Sequence, residues 1–251
     1  MYLELKNLTV NFDGFIAVNN VNLGIEKGEK RVIIGPNGAG KTTIIDMITG
    51  KTKPTSGEIL LEGVNIAGKE PYDIADKYRI GRKFQGPNVF DDMSVYENIE
   101  VALWGFESVW KTFTYRRTKN IKEKIETLLE KINLVEQSNM LPKYLSHGQR
   151  QWLEMGMVLA QNPEIITLDE PAAGMTDNET FKTGEMIKTI MKDKTMIVVE
   201  HDMDFIKQIA EKVTVLNQGK ILAEGNYDEV SHNQEVVNVY LKNEEEEGEE
   251  S

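Results

Sequence analysis

Apolar and polar residues follow two different periods along the chain, and these periods predict where strands and helices lie. Residues 3–10 (LELKNLTV) and 18–25 (VNNVNLGI) alternate at every second position, the pattern of a half-buried strand. Shorter and largely apolar runs are typical of strands buried on both faces, and they occur at 31–34, 164–170 and 195–202. Another strand is predicted at 56–63, a hairpin at 212–225, and helices at 42–50, 178–192, 204–211 and 228–242. Buried strands that alternate with helices predict an α/β fold with a mainly parallel core sheet covered on both faces.

The middle of the chain, from about residue 71 to 142, has a different pattern. Segments 95–106 and 120–134 have helical periodicity, and strands are scarce. We therefore expect a helical subdomain at about 86–160, inside one domain that spans 1–242. Residues 243–251 close the chain with six Glu, and a segment of this composition is expected to be a solvated, disordered tail.

Composition narrows the class of protein. The chain has 251 residues, of which 40% are hydrophobic and 28% charged, and its net charge is −12. No Cys is present, so a disulfide framework and a thiolate metal site are excluded. The acidic balance argues against a nucleic-acid-binding protein, which would carry a basic face. With no signal-peptide pattern and no apolar run of the ~18–20 residues that a membrane span needs, we expect a cytoplasmic protein.

The strongest chemical signal is GPNGAGKT, which fits the phosphate-loop pattern G-x-x-x-x-G-K-[ST] between a predicted strand and a predicted helix. Glycines let the backbone bend so that successive N–H groups converge on phosphate oxygens. Lys41 would place its charge on the β- and γ-phosphates, and the Thr42 hydroxyl could bind Mg²⁺. The predicted phosphate-binding residues are Gly35, Asn37, Gly38, Ala39, Gly40, Lys41, Thr42 and Thr43.

Polar side chains follow three of the predicted strands. Asp169 ends an apolar strand, as a Mg²⁺ ligand would, and Glu170 follows where it could act as a general base on water. Gln85 and His201 end two further strands. Ligand sites of α/β proteins form at the carboxyl edge of the sheet, where these side chains are expected to meet.

Residues 145–149 (LSHGQ) stand directly before an apolar helix. Ser146 is a predicted N-cap, and the free N–H groups of a helix start favour an anion. No Asp or Cys stands near enough in the sequence to build a catalytic triad around Ser146.

The order phosphate loop, Gln85, LSHGQ, LDE and His201 resembles the ATP-binding subunits of ABC transporters over residues 2–242. The resemblance implies the P-loop NTPase fold of ABC ATPases, with an N-terminal antiparallel β subdomain and a helical subdomain. It implies that Asp169, Thr42 and Gln85 hold Mg²⁺, and that Glu170, His201 and Gln85 are catalytic. An aromatic residue stacks on adenine in this family; Phe12 is our assignment and Phe15 the alternative.

The resemblance also implies partners. LSHGQ matches the ABC signature, whose residues Ser146, Gly148 and Gln149 would contact ATP bound to a second subunit in a head-to-tail dimer. That subunit is a second copy or a sister ATPase. The resemblance also implies a membrane permease, a periplasmic or extracellular substrate-binding protein, and a position on the inner face of the cell membrane. It implies no nucleic-acid partner.

Two positions depart from the family pattern. His147 replaces the first Gly of the signature, and the loop after Asp169 ends in MTD, so that either Thr176 or Asp177 would make the contact across the dimer.

Importer ATPases for branched-chain amino acids and urea are resembled by PAAGM at 171–175, by the long segment between Gln85 and the signature, and by EVVNVYL at 235–241. Within that group, two segments are most similar to the ATPases for urea. They are 81–103 and 145–179. We therefore expect an ATPase that energises import of urea or short-chain amides, with branched-chain amino acids or another cargo as the alternative. A non-transport ABC protein is disfavoured because the chain has one cassette and no sustained heptads, and a non-enzymatic regulator because Glu170 and His201 are both present.

Overall fold

The structure is a computed structural model, and it describes residues 1–83, 89–104, 119–190 and 192–239. Gln85 and the acidic segment 243–251 lie outside the described residues. The strands are β1 (Leu3–Phe12), β2 (Phe15–Ile25), β3 (Lys30–Ile34), β4 (Ser56–Leu61), β5 (Val64–Asn65), β6 (Ile80–Lys83), β7 (Ile165–Asp169), β8 (Thr195–Val199), β9 (Lys212–Asn217) and β10 (Lys220–Gly225). The helices are α1 (Lys41–Ile48), α2 (Pro71–Asp76), α3 (Val95–Trp104), α4 (Lys119–Lys131), α5 (His147–Ala160), α6 (Asp177–Ile190), α7 (Met203–Ile209) and α8 (Tyr227–Ser231).

The core sheet has the strand order β10-β9-β3-β8-β7-β6. Every neighbouring pair is parallel except β9 and β10, which form the predicted antiparallel hairpin. The register places Ile33 beside Val199 and Val199 beside Asp169. The carboxyl ends of β3, β8 and β7 therefore lie side by side at one edge of the sheet.

Each central strand is buried on both faces, which explains its continuous apolar run. Val32 and Ile34 face a core that includes residues of α3 to α7. Ile33, between them, faces a second core that includes α1 and the N-terminal strands. The sheet thus separates two hydrophobic cores, and the predicted mainly parallel sheet is confirmed.

A second sheet with the order β2-β1-β4-β5 is antiparallel throughout. Its buried face, with Leu5 and Ile59, packs into the same core as Ile45 of α1. This confirms the N-terminal antiparallel layer and places the end of the β1–β2 hairpin beside the start of α1.

The helical layer contains α3, α4 and α5. Gly156 of α5 lets the helices approach closely, because a Cβ there would lie 2.6 Å from Ile132 Cδ1 and 2.9 Å from Ile99 Cδ1. The short strand predicted before Gln85 is observed as β6, which pairs with β7 in the core sheet, and Ile74 of α2 packs in the second core. The sequence patterns do not predict the short β5 and α2.

No helix in the described part of the chain is long and apolar enough to cross a membrane.

Arg31 of β3 is fully buried and connects the two sheets. Its guanidinium pairs with Glu29 at 2.6 Å and with Glu224 of β10, and it donates to Thr214 Oγ1 at 2.8 Å and to the Gly24 carbonyl of β2 at 2.9 Å. A buried charge is tolerated when its hydrogen bonds and its countercharge are both present.

Arg31→Met should lower the free energy of unfolding by about 3–5 kcal/mol, because it leaves the buried Glu29 without its countercharge. Urea unfolding followed by circular dichroism measures this. Arg79→Met, which alters a half-exposed side chain, is the control. An unfolding midpoint for Arg31→Met equal to that of the wild type would contradict the role given to this pair.

Candidate active site

The phosphate loop connects the end of β3 to the first turn of α1, as the sequence predicts. Gly35 and Gly40 have φ angles of 149° and 100°, in the region that favours glycine. A Cβ at Gly35 would lie 2.1 Å from the Leu216 carbonyl oxygen, and one at Gly40 would lie 2.6 Å from that of Ala17. Both glycines are therefore required by backbone conformation and by close packing.

Lys41 opens α1 and its side chain turns back over the loop. The ammonium donates to the carbonyl oxygens of Gly35 at 2.7 Å and of Pro36 at 3.0 Å. Burial lowers the pKa of Lys41, while the negative charges of Glu170 and Asp169 act in the opposite direction. The cation is thus held at the loop, close enough to both carboxylates to interact with them.

Asp169 is the last residue of β7 and is 1% exposed. Neither of its carboxylate oxygens accepts a hydrogen bond of ordinary length from the described residues, and its ion-pair partner among them is Arg82, whose Nη2 lies 3.7 Å from Oδ2. Burial raises the pKa of Asp169, and Arg82 and the Thr42 hydroxyl lower it.

This donor set fits a magnesium–nucleotide complex. Mg²⁺ takes one or two carboxylates together with substrate phosphates. The buried carboxylate of Asp169 and the hydroxyl of Thr42 supply such oxygens. No cluster of three or more His, Asp or Glu suited to an all-protein metal site occurs among the residues that the structure describes.

Glu170 and His201 follow neighbouring strands and meet above the edge of the sheet. His201 Nε2 lies 3.1 Å from Glu170 Oε1. The Glu170 backbone has φ 49°, and its N–H donates to the Val199 carbonyl at 2.9 Å. A left-handed non-glycine residue costs roughly 1–3 kcal/mol, so the surrounding loop holds this carboxylate in place against strain.

Glu200 also belongs to this group of side chains, although no sequence motif singles it out. The residue is 3% exposed, and its carboxylate accepts the backbone N–H of Ala172 at 2.9 Å and that of His201 at 2.8 Å. Burial raises the pKa of Glu200, while the backbone hydrogen bonds lower it. Its position between an apolar strand and His201 is the signal by which the sequence could have revealed it.

These elements enclose a pocket of about 290 Å³ at the mouth of the phosphate loop. Phe12 and Phe15 both line it, since they are cross-strand partners at the end of the β1–β2 hairpin and are 48% and 65% exposed. The other lining residues are Ala17, Asn37, Gly38, Ala39, Gly40, Lys41, Thr42, Thr43, Glu170 and His201. The structure therefore brings most of the predicted site together and offers both aromatic candidates.

The signature residues lie elsewhere. Ser146 is the N-cap of α5, as predicted, and forms a capping box in which the Gln149 N–H donates to Ser146 Oγ and the Ser146 N–H donates to Gln149 Oε1. Both residues line a second pocket of about 920 Å³ together with His147, whose Nε2 lies 3.0 Å from the Ala173 carbonyl oxygen. Within the described ranges, no residue lines both pockets.

Glu179 of α6 occupies the anion position at the start of α5. Its carboxylate accepts the Ser146 hydroxyl at 2.8 Å, and a Cβ on Gly148 would lie 2.6 Å from its Cδ. Hydrogen bonds from the Thr176 backbone and from Ser146 lower the pKa of Glu179, which keeps it ionised. Thr176 caps α6 and lines this pocket, while Asp177 lies in the first turn of the helix.

The catalytic and Mg²⁺-binding roles predicted for Gln85 fall on a residue outside the described ranges.

Comparison with known proteins now identifies the family. The family model for the ABC transporter matches residues 18–173. The chain belongs to the ABC transporter family. Within it, the chain is an ATP-binding subunit and an ABC-type ATPase, as the sequence predicts.

Three relatives of known name match almost the full chain. It is 37% identical to the high-affinity branched-chain amino acid transport ATP-binding protein LivG of Escherichia coli, over 95% of this chain and 97% of that one. It is 36% identical to the corresponding protein BraF of Pseudomonas aeruginosa, with the same coverage. It is 32% identical to a probable LivG of Archaeoglobus fulgidus, over 95% of each chain.

Solved ABC cassettes have the same fold. One ATP-binding cassette of an ABC transporter superposes with a TM-score of 0.85 at 30% identity, over 95% of this chain and 98% of that one. A cassette in its ADP conformation gives a TM-score of 0.84 at 29% identity, over 96% and 98% of the two chains. The ABC cassette fold is therefore confirmed, and the binding of ATP or ADP, which such cassettes share, is supported.

Gly40→Ala should weaken ATP binding at least about tenfold, because the new Cβ would meet the Ala17 carbonyl and the left-handed φ would be strained. Titration with a fluorescent ATP analogue measures this. Gly28→Ala is a matched control, since Gly28 has φ 84°, an added Cβ there would have no atom within 4 Å, and the residue lies outside the pocket. Unchanged affinity in Gly40→Ala would contradict the part given to this backbone.

Proposed function

We propose that this chain is the ATP-hydrolysing subunit of an importer for branched-chain amino acids and works as a head-to-tail dimer. The observation that carries the proposal is the division of the site into two separate pockets. One is lined by residues of the phosphate loop with Glu170 and His201, the other by Ser146, His147 and Gln149 of the signature, and none of the residues that the structure describes lines both. Two facing subunits would complete each ATP site.

In the first pocket, the phosphate loop binds the nucleotide phosphates and Phe12 or Phe15 stacks on adenine. Glu170 accepts a proton from the water that attacks the γ-phosphorus, while the bond to the ADP oxygen breaks. His201 orients the Glu170 carboxylate and contacts the γ-phosphate. Gln85 completes the proposed catalytic set.

Magnesium is part of the proposal. Thr42, Asp169 and Gln85 would hold it, and Mg²⁺ bound with ATP neutralises charge on the phosphates. The buried carboxylate of Asp169, which accepts no ordinary hydrogen bond from the described residues, supports this assignment.

In the second pocket, Ser146, Gly148 and Gln149 would contact the γ-phosphate of ATP held by the partner, which is a second copy or a sister ATPase. A solved ABC cassette bound to ADP and phosphate is dimeric, and it covers 90% of this chain at 27% identity with a TM-score of 0.76. Thr176 is the better candidate than Asp177 for the contact across the dimer, because it lines this pocket.

The cargo and the partners follow from the named relatives. LivG and BraF are named for branched-chain amino acid transport, which favours this cargo over the urea that the sequence motifs suggest. The same proposal includes a membrane permease, an extracytoplasmic substrate-binding protein and a location at the inner face of the membrane. The domain boundaries at 1–242 and 86–160 and the acidic tail at 243–251 remain predictions.

Cells of the source organism that carry Glu170→Gln should lose uptake of labelled leucine and retain uptake of labelled urea. The purified variant should hydrolyse ATP roughly 10²–10⁴-fold more slowly and accumulate ATP-bound dimers, because the proton acceptor is missing. Glu185→Gln, on an exposed face of α6, is the control and should match the wild type.

The outcomes separate the parts of the proposal. Loss of urea uptake with leucine uptake intact would assign the chain to a urea importer and leave the ATP site as proposed. Hydrolysis at the wild-type rate would remove Glu170 as the base.

Glu179 must leave the signature before a phosphate can bind there. Its carboxylate holds Ser146 Oγ and covers Gly148, the two groups that a γ-phosphate would contact. Two anions cannot share these donors, so closure of the dimer requires the carboxylate to move or to lose its charge.

Glu179→Gln should therefore lower the ATP concentration needed for dimerisation by about three- to tenfold, because the amide keeps an acceptor for Thr176 and removes the repulsion. Light scattering during an ATP titration, in the Glu170→Gln background, measures it. Glu185→Gln on the same helix is the matched control. Weaker dimerisation in Glu179→Gln would mean that the carboxylate supports the closed state.

A further inference from the structure

The Glu200 carboxylate bridges the two loops that carry Glu170 and His201. One oxygen accepts the Ala172 N–H at 2.9 Å, in the turn that begins at Glu170, and the other accepts the His201 N–H at 2.8 Å. Ala173 N–H in turn donates to the Glu170 carbonyl at 3.2 Å. A single side chain therefore binds the backbone next to both catalytic candidates.

We propose that Glu200 is a positioning residue that fixes the Glu170–His201 pair for hydrolysis. The inference rests on the proposed roles of Glu170 and His201. Glu200 lines neither pocket, so it does not meet the nucleotide, and it acts by holding two loops in register.

A carboxylate suits this task better than its neutral analogues do. Its two oxygens accept from two N–H groups at once, and hydrogen bonds to an ionised acceptor are short and strong. A Gln side chain keeps one oxygen but turns an NH₂ group toward the second donor. An Ala side chain leaves both backbone N–H groups without their partner in a buried place.

The need for such a bridge follows from the strain at Glu170. Glu170 is held at φ 49°, and its carboxylate lies 3.1 Å from the His201 ring. The His201 side chain is itself 42% exposed. Two partly exposed side chains on separate loops keep a fixed distance only if their backbones are fixed. The parallel pairing of β7 with β8 ends at Asp169 and Val199, so beyond it the Glu200 carboxylate supplies the cross-loop hydrogen bonds to Ala172 and His201.

The test is a double-mutant cycle on ATP hydrolysis by the purified full chain. Glu200→Gln should lower kcat about ten- to a hundredfold with the KM for ATP within about twofold of the wild type. Because Glu200 is proposed to act only by fixing the Glu170–His201 pair, its loss should matter little once one member of the pair is gone, and Glu200→Gln combined with His201→Ala should be no slower than His201→Ala alone. Multiplied losses in the double variant would overturn the proposal.

Glu29→Gln is the control for a buried carboxylate lost far from the site, since Glu29 is 6% exposed and pairs with Arg31. Glu29→Gln should lower the midpoint temperature of thermal unfolding and leave kcat unchanged. If Glu29→Gln and Glu200→Gln lowered kcat equally, the loss would be explained by general destabilisation of the fold, and the role assigned to Glu200 would be overturned.

The side-chain signals of histidine give a readout that does not require turnover. The chain has three His, so the imidazole resonances can be assigned by single substitutions. Glu200→Gln should shift the signal of His201 and leave those of His147 and His232 in place. If Glu170→Gln and His201→Ala slow hydrolysis while Glu200→Gln changes neither kcat nor the His201 signal, this inference fails and the proposed function stands. Wild-type rates in Glu170→Gln and His201→Ala would instead remove the proposed function on which it rests.

Discussion

The parallel register of β3, β8 and β7 is the constraint on which the candidate site depends. Hydrogen bonding aligns Val32 with Val198 and Val198 with Leu168, so all three strands finish at the same level. The residues that follow must emerge at one edge, whatever their chemistry. The phosphate loop, Glu170 and His201 meet because their strands end together, and the apolar cores on both faces hold those strands in place.

The two buried carboxylates at this edge of the sheet have different partners. Asp169 has Arg82 at 3.7 Å and accepts no ordinary hydrogen bond from the described residues, whereas Glu200 is satisfied by backbone N–H groups. The first carboxylate is therefore available to a cation that arrives with the nucleotide, and the second is already occupied. Two buried acids near the pocket have different environments, and different roles follow from them.

Sequence patterns are sufficient for most of the elements and for the residues of the phosphate loop. Continuous apolar runs predict β3, β7 and β8, and the Ser146 cap predicts the start of α5 at its observed position. The patterns fail where distant parts of the chain decide the outcome. The pattern before Gln85 predicts a strand, but it does not reveal that this strand pairs with β7, Ile80 beside Ile165, because the two lie far apart in the sequence. Glu179 resembles an ordinary surface acid in the sequence, and only the packed structure places it on the signature. Glu200 stands between an apolar strand and His201, but only the packed structure shows that it joins two loops.

Two of the proposed ATP contacts, Lys41 and Ser146, are already occupied by groups of the chain itself. Lys41 donates to the carbonyls of its own loop, and the signature hydroxyl donates to Glu179. Binding of ATP between two subunits would then break these hydrogen bonds and replace them with hydrogen bonds to phosphate oxygens. The new bonds would not form on groups that were unsatisfied before. An exchange yields a smaller net free energy than the formation of new bonds, because each broken partner must be satisfied elsewhere. A modest net gain suits a dimer that has to reopen after each hydrolysis, since a closed state held too firmly would stop the cycle.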